Sequence, residues 1–161
     1  DITKEETKAF IPDGFDLLCA GFPCQAFSIA GKRGGFDDTR GTLFYDFARI
    51  VDECQPKIFV YENVKGLINH DEGRTWAVVQ DVFKLLGYKI YSQLMNSKDY
   101  GIPQHRERIF VVGFRDESEH FDFPKKIPLT HTMQDFLEDF TQSKYYLKTK
   151  GIFHDNVCMW H

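Results

Sequence analysis

The sequence predicts an α/β fold, an open twisted sheet with helices packed against it, and three observations carry that prediction. Apolar, β-prone runs at 15–20, 57–62 and 89–94 alternate with segments of helical period at 42–54 and 74–86. The run Lys57-Ile58-Phe59-Val60-Tyr61-Glu62 has almost no polar alternation, as expected of a parallel strand covered on both faces. Strand, helix and strand in the order 15–62 form a right-handed crossover unit, which places the carboxyl ends of both strands on one sheet edge.

Taken in order, residues 3–10 read as a short polar helix or loop, stopped by the turn signature Pro12-Asp13-Gly14. The first strand follows and ends at Ala20-Gly21. Between 42 and 54, Leu43, Phe44, Phe47, Ala48, Ile50, Val51 and Cys54 fall at helical spacing, and Asp46, Arg49, Asp52 and Glu53 take the opposite face. Gln55-Pro56 stops that helix, because a residue before proline is pushed out of the helical region. A loop at 65–73 leads to a second amphipathic helix at 74–86, with Trp76, Val79, Val82, Phe83 and Leu86 inward and Gly87 as its stop. A strand at 89–94, a polar loop at 96–105 and a last strand at 108–114 complete the pattern, the last one expected to run antiparallel to the others. Thr132, with Asp135 three residues on, caps an expected helix at 132–140; residues 145–161 give no clear pattern.

The bulk properties narrow the functional classes. A chain of 161 residues with 42% hydrophobic residues suits one soluble domain, and no apolar run approaches the length that spans a bilayer. Neither a membrane span nor a secretory leader is indicated, and Cys19, Cys24, Cys54 and Cys158 lack framework spacing, so the expectation is a cytoplasmic protein with reduced thiols. A net charge of -4 excludes a broadly basic nucleic-acid binder, so contact with a phosphate backbone requires a local patch. The chain opens on Asp1-Ile2 without a methionine and ends on the apolar run Val157-Cys158-Met159-Trp160-His161, which reads as a piece of something longer.

The chemistry centres on Ala20-Gly21-Phe22-Pro23-Cys24-Gln25-Ala26-Phe27-Ser28. A cysteine held on a stiff Pro-containing turn at a strand end is a candidate nucleophile, although a lone cysteine in an apolar setting is most often inert packing. The glycine-rich segment 29–40 carries Lys32, Arg33 and Arg40 and reads either as an exposed connection or as a lid over a polyanion. Glu62 ends the second strand on the edge that Cys24 shares, and if the last strand runs antiparallel to the others, the cluster His105-Arg106-Glu107-Arg108 at its start lies at that same edge. A thiolate favoured by guanidinium groups, a carboxyl able to protonate a ring nitrogen and arginines able to hold a carbonyl oxygen suit covalent attack on an electron-poor ring. The bland alternatives are a structural Glu62–arginine pair and a solvated strand start made of Arg106, Glu107 and Arg108.

Four motifs, Gly21-Phe22-Pro23-Cys24-Gln25 with Phe27-Ser28, Arg40-Gly41-Thr42-Leu43-Phe44, Glu62-Asn63-Val64 and Gln104-x-Arg106-x-Arg108, in this order and spacing resemble the DNA (cytosine-5) methyltransferase family. The likeness is greatest to bacterial restriction-modification enzymes and runs from residue 1 to about 114. It implies a Rossmann-like S-adenosylmethionine-dependent sheet, here the catalytic half, with parallel strands and a final antiparallel one. It further implies a catalytic domain over 1–123 and the start of a target-recognition region over 124–161. Carried over by residue, Cys24 adds to C6 of the target cytosine, Glu62 engages the N3 and amino side, Asn63 holds that strand end, Arg108 contacts O2 and Arg106 supports the pocket. Asp1, Ile2, Pro23 and Leu43 match positions that contact the methyl donor. Gln25, Ser28, Lys32, Arg33, Arg40 and Gln104 match the DNA-binding side, where the base is flipped out of the duplex. The implied partner is double-stranded DNA in a bacterial cytoplasm at the nucleoid, together with amino- and carboxyl-terminal parts that this chain lacks.

The glycine-rich donor-binding loop that begins the family's fold is absent, as are most of the recognition region and the closing asparagine-containing segment. The expectation is therefore that these residues alone do not methylate DNA. Two alternatives remain open, a transfer-RNA cytosine-5 methyltransferase and a non-catalytic chain of a split enzyme. A metal module on His154, Cys158 and His161 is disfavoured by loose spacing and the want of a fourth ligand, and no metal is expected.

Overall fold

The computed structural model describes residues 4–8, 10–12, 14–22 and 43–137. After a single helical turn, α1 (Glu5–Lys8), the chain enters β1 (Leu17–Gly21), and the described part then resumes at α2 (Leu43–Cys54). Next come β2 (Ile58–Val64), the short α3 (Gly66–Asn69), α4 (Arg74–Leu85), β3 (Lys89–Asn96) and β4 (Glu107–Phe114). The four strands make one sheet in the order β1-β2-β4-β3. β1 and β2 are parallel, and β4 is antiparallel to both β2 and β3, so β4 is wedged between two strands that point the other way. The antiparallel last strand is as the sequence predicts, while its central place is not readable from periodicity.

The core lies between the sheet and the two long helices. α2 contributes Phe44, Phe47, Ala48 and Val51, α4 contributes Val79, Val82 and Phe83, and the strands supply Phe59, Tyr61, Ile109 and Val111, all buried. Phe83 is the hub, with ring centroids 4.4 Å from Phe59 and 5.6 Å from Phe44. Burial along β2 alternates: Phe59, Tyr61 and Asn63 are buried beneath the helices, whereas Ile58, Val60 and Glu62 are only half-buried. The expected cover on both faces is thus complete on one face only among the described residues.

Helix ends follow their local chemistry. Gln55 takes a left-handed φ of 46°, its side chain donates to the Asp52 carbonyl at 3.0 Å, and Pro56 bars a further turn. α4 closes on Gly87, at φ 80°, with the Gly87 amide bonded to the Lys84 carbonyl and the Tyr88 amide to the Phe83 carbonyl, each at 3.0 Å. Two expectations are corrected. The segment 65–73 is not a plain loop: Leu67 is fully buried and pins the single turn of α3, a stretch too short for periodicity to reveal. Of the helix expected at 132–140, the described part is one 3₁₀ turn, Met133–Phe136, with Leu137 already extended, and 138–140 lie outside the described residues. Asp135 accepts from the Thr132 amide at 2.7 Å, so the cap forms as expected, but Met133, Phe136 and Leu137 are exposed among the described residues, which gives the turn no buried face to extend it.

Candidate active site

The rim at the carboxyl ends of β1 and β2 is built by register. Gly21, which precedes Cys24 by three positions, is the cross-strand partner of Glu62. Glu62 in turn faces Phe110 of β4, and Val64 faces Arg108. Side chains alternate along a strand, so Glu62 and Arg108 share a face as diagonal neighbours, and Arg106, two positions earlier, falls on that side as well. The contacts agree. Glu62 Oε1 lies 3.1 Å from Arg108 Nε and 3.9 Å from Arg106 Nη2. Glu62 and Arg108 are about three-quarters buried, while Arg106 is half-exposed.

The carboxylate of Glu62 is held from two directions. One oxygen faces the guanidinium groups, and Oε2 lies 3.2 Å from where a Cβ on Gly21 would stand. A side chain at position 21 would therefore press on this carboxylate. The Arg108 guanidinium is itself oriented, donating to the Glu107 carbonyl at 2.8 Å. Asn63 is buried behind the rim and bonds Tyr61, the Phe22 carbonyl and the Val64 amide.

A Glu62–arginine pair, which is also the bland structural alternative, is what forms, and Glu107 takes no part in it. Glu107 turns to the other face and takes Lys65 Nζ at 2.9 Å, with His105 Nε2 at 3.8 Å. The hydrogen bond from Lys65, followed by the nearby positive charges, holds the Glu107 carboxyl below its ordinary range. Lys65, which sequence reasoning missed, thereby joins a cleft of about 350 Å³ lined by Val64, Gly66, His105, Glu107 and Arg108. Its only sequence signal was a position directly after Glu62-Asn63-Val64.

Of the remaining expected residues, Gln104 is exposed on the same rim, and Leu43 is the half-buried first residue of α2. Asp1, Ile2, Pro23, Cys24, Gln25, Ser28, Lys32, Arg33 and Arg40 lie outside the described residues, as do His154, Cys158 and His161. Beyond the rim, Lys126 pairs with Asp99 at 2.7 Å and the Ile127 amide bonds the Asp99 carbonyl at 2.9 Å, which ties 126–127 to the turn after β3.

The sequence and the fold each have counterparts among known proteins. The chain is 55% identical over 157 residues to "Type II methyltransferase M.HpaII" of Haemophilus parainfluenzae, an alignment covering 94% of this chain and 44% of that protein. It is 50% identical over 139 residues to "Type II methyltransferase M.HhaI" of Haemophilus parahaemolyticus, covering 85% of this chain and 42% of that protein. The chain thus spans less than half the length of these two relatives. Among solved structures, a DNMT2 variant of Spodoptera frugiperda superposes with a TM-score of 0.60 at 21% identity, over 80% of this chain and 41% of that one. The S. pombe Dnmt2 methyltransferase gives 0.56 at 17% identity, over 84% and 42%. At such identities these two speak for the Rossmann-like fold alone. The family described as "C-5 cytosine-specific DNA methylase" matches residues 1–159, and the chain belongs to that family.

Proposed function

We propose that these residues form the catalytic part of a DNA (cytosine-5) methyltransferase of the restriction-modification type. The observation that carries the reading is the pairing of Gly21 with Glu62, together with the 3.1 Å contact from Glu62 to Arg108. That arrangement brings a carboxylate and a guanidinium beside the strand end from which the cysteine segment departs.

In this reading the Cys24 thiolate adds to C6 of a cytosine flipped out of the duplex. Glu62 binds the N3 and amino edge, and Arg108 holds O2 by a charge-assisted hydrogen bond, with Arg106 behind it. Both contacts stabilise the electron density that thiolate addition pushes into the ring. S-adenosylmethionine supplies the methyl group to C5, with Asp1, Ile2, Pro23 and Leu43 as the residues that would hold it. Loss of the C5 proton then drives elimination of the thiolate and restores the aromatic ring. Gln25, Ser28, Lys32, Arg33, Arg40 and Gln104 would contact the DNA, and 124–161 would begin the target-recognition region after a catalytic domain ending at 123. The setting would be a bacterial cytoplasm, at the nucleoid.

The test is covalent trapping on DNA with 5-fluorocytosine at the target position, using the intact protein that carries this chain and labelled donor. A denaturant-resistant protein–DNA adduct that disappears in Cys24→Ser is expected. An adduct that survives this substitution, or one that forms only on transfer RNA, would overturn the reading. The 161-residue chain by itself should give no measurable turnover, and restoration by the absent amino-terminal part supplied in trans would identify a split enzyme.

A further inference from the structure

Tyr61 lies one residue before Glu62 on β2, yet its side chain points away from the rim and into the core, where it is fully buried. Its ring stacks on Phe47, with centroids 5.7 Å apart and planes 22° from parallel, and lies against Phe22 at 5.3 Å. A tyrosine at such a place brings a polar oxygen into an apolar cluster, a cost that is offset only if the oxygen is used. It is used by Asn63. The Val64 amide can only donate, and it donates to Asn63 Oδ1 at 2.8 Å, which fixes the orientation of the side-chain amide. Asn63 Nδ2 then points inward, where its two hydrogens reach Tyr61 Oη at 2.8 Å and the Phe22 carbonyl at 3.4 Å.

That carbonyl belongs to the peptide joining Phe22 to Pro23, directly ahead of Cys24. Tyr61 thus acts on Phe22 twice, through the ring contact and through the amide it orients. We propose that Tyr61 is a positioning residue for the nucleophile segment: its hydroxyl locks Asn63 so that Asn63 holds the Phe22–Pro23 peptide beside the Glu62 strand end. Without the hydroxyl, one Nδ2 hydrogen of a buried Asn63 loses its acceptor, and the amide is left with the Val64 bond and the longer contact to Phe22 alone, which loosens its hold on that carbonyl. The inference rests on the proposed function for its consequence in catalysis, but the tether itself is a matter of geometry.

The test compares Tyr61→Phe with Tyr88→Phe in the intact protein. Tyr88 is a second buried tyrosine, whose hydroxyl donates to the Pro56 carbonyl at 2.6 Å at the far end of β2, so its variant controls for the loss of any buried hydroxyl. Amide exchange in the peptide covering 20–28 should accelerate roughly three- to tenfold in Tyr61→Phe, the size expected for one net hydrogen bond. It should be unchanged in Tyr88→Phe, even if that variant melts lower. Methyl transfer should show a fall in kcat for Tyr61→Phe with KM for DNA unchanged, a split that general destabilisation does not produce. Unchanged exchange and kcat in Tyr61→Phe, or equal changes in both variants, would overturn the proposal. Faster exchange in an intact protein that transfers no methyl group would instead overturn the assigned reaction and leave the tether standing.

Discussion

At the scale of single residues, the rim is tuned by what is absent as much as by what is charged. Gly21 has no need of a left-handed backbone; its value is the space it leaves for the Glu62 carboxylate. Gly21→Ala would place a methyl group 3.2 Å from Oε2, and the end of a glutamate side chain can yield that distance cheaply. Under the proposed function, the expected outcome in the intact protein is a melting temperature within about 2 °C of the parent and a methyl-transfer rate down roughly tenfold or more, because small misplacements at a reacting centre cost far more than they do in stability. Glu107 gives a second expectation. Its carboxyl is held low by Lys65, so the tie is present above the unfolded-state value and lost as pH falls through the lower folded value. Carbon NMR of the Glu107 carboxyl should inflect at a lower pH than an ordinary glutamate; an inflection at or above the ordinary glutamate value would mean that Lys65 does not hold this group.

At the scale of elements, the ring of Phe59 lies across Gly113, its partner on β4, and a Cβ there would stand 2.1 Å from the ring. That vacancy lets Phe59 reach Phe83 and also Tyr88, at 5.2 Å. Gly113→Ala must displace a buried aromatic among others, so a loss of about 1–3 kcal/mol or more in a urea titration is expected. The long elements were legible because burial writes a period into them: all five buried apolar residues of α2 were read from spacing alone. β1 begins at Leu17, two residues later than the expected start, since Phe15 and Asp16 are apolar-then-polar residues before the ladder, and pairing rather than composition sets that boundary. The site was legible where charge and order coincide, as in Glu62 with Arg106 and Arg108. Lys65 and Tyr61 escaped notice because a lysine after a strand and a tyrosine within one are ordinary until cross-strand partners are known.

At the scale of the molecule, a net charge of -4 coexists with a rim where Lys65, His105, Arg106 and Arg108 gather around two carboxylates. Binding to a polyanion through so local a patch should weaken steeply with salt, so the DNA affinity of the intact protein is expected to fall several-fold or more between 50 and 200 mM salt. A salt-independent affinity would place the contact elsewhere. Sheet order carries a further expectation. β2 and β3 never pair with each other; both are joined only through β4, which follows them in the sequence. Ending the chain at Arg106 should therefore abolish cooperative unfolding, whereas ending it after Leu137 should preserve it, as read by circular dichroism during heating.

That order also governs the protein's birth. Once β3 has emerged from the ribosome and until residues 107–114 follow it, β3 has no partner in the described sheet and the inner edge of β2 stands open, so both strands present unpaired backbone. The last eight residues of the sheet close both gaps at once. A translational pause that leaves β3 outside the ribosome and residues 107–114 still within it would prolong the interval in which the nascent chain is most prone to aggregate and most dependent on chaperones.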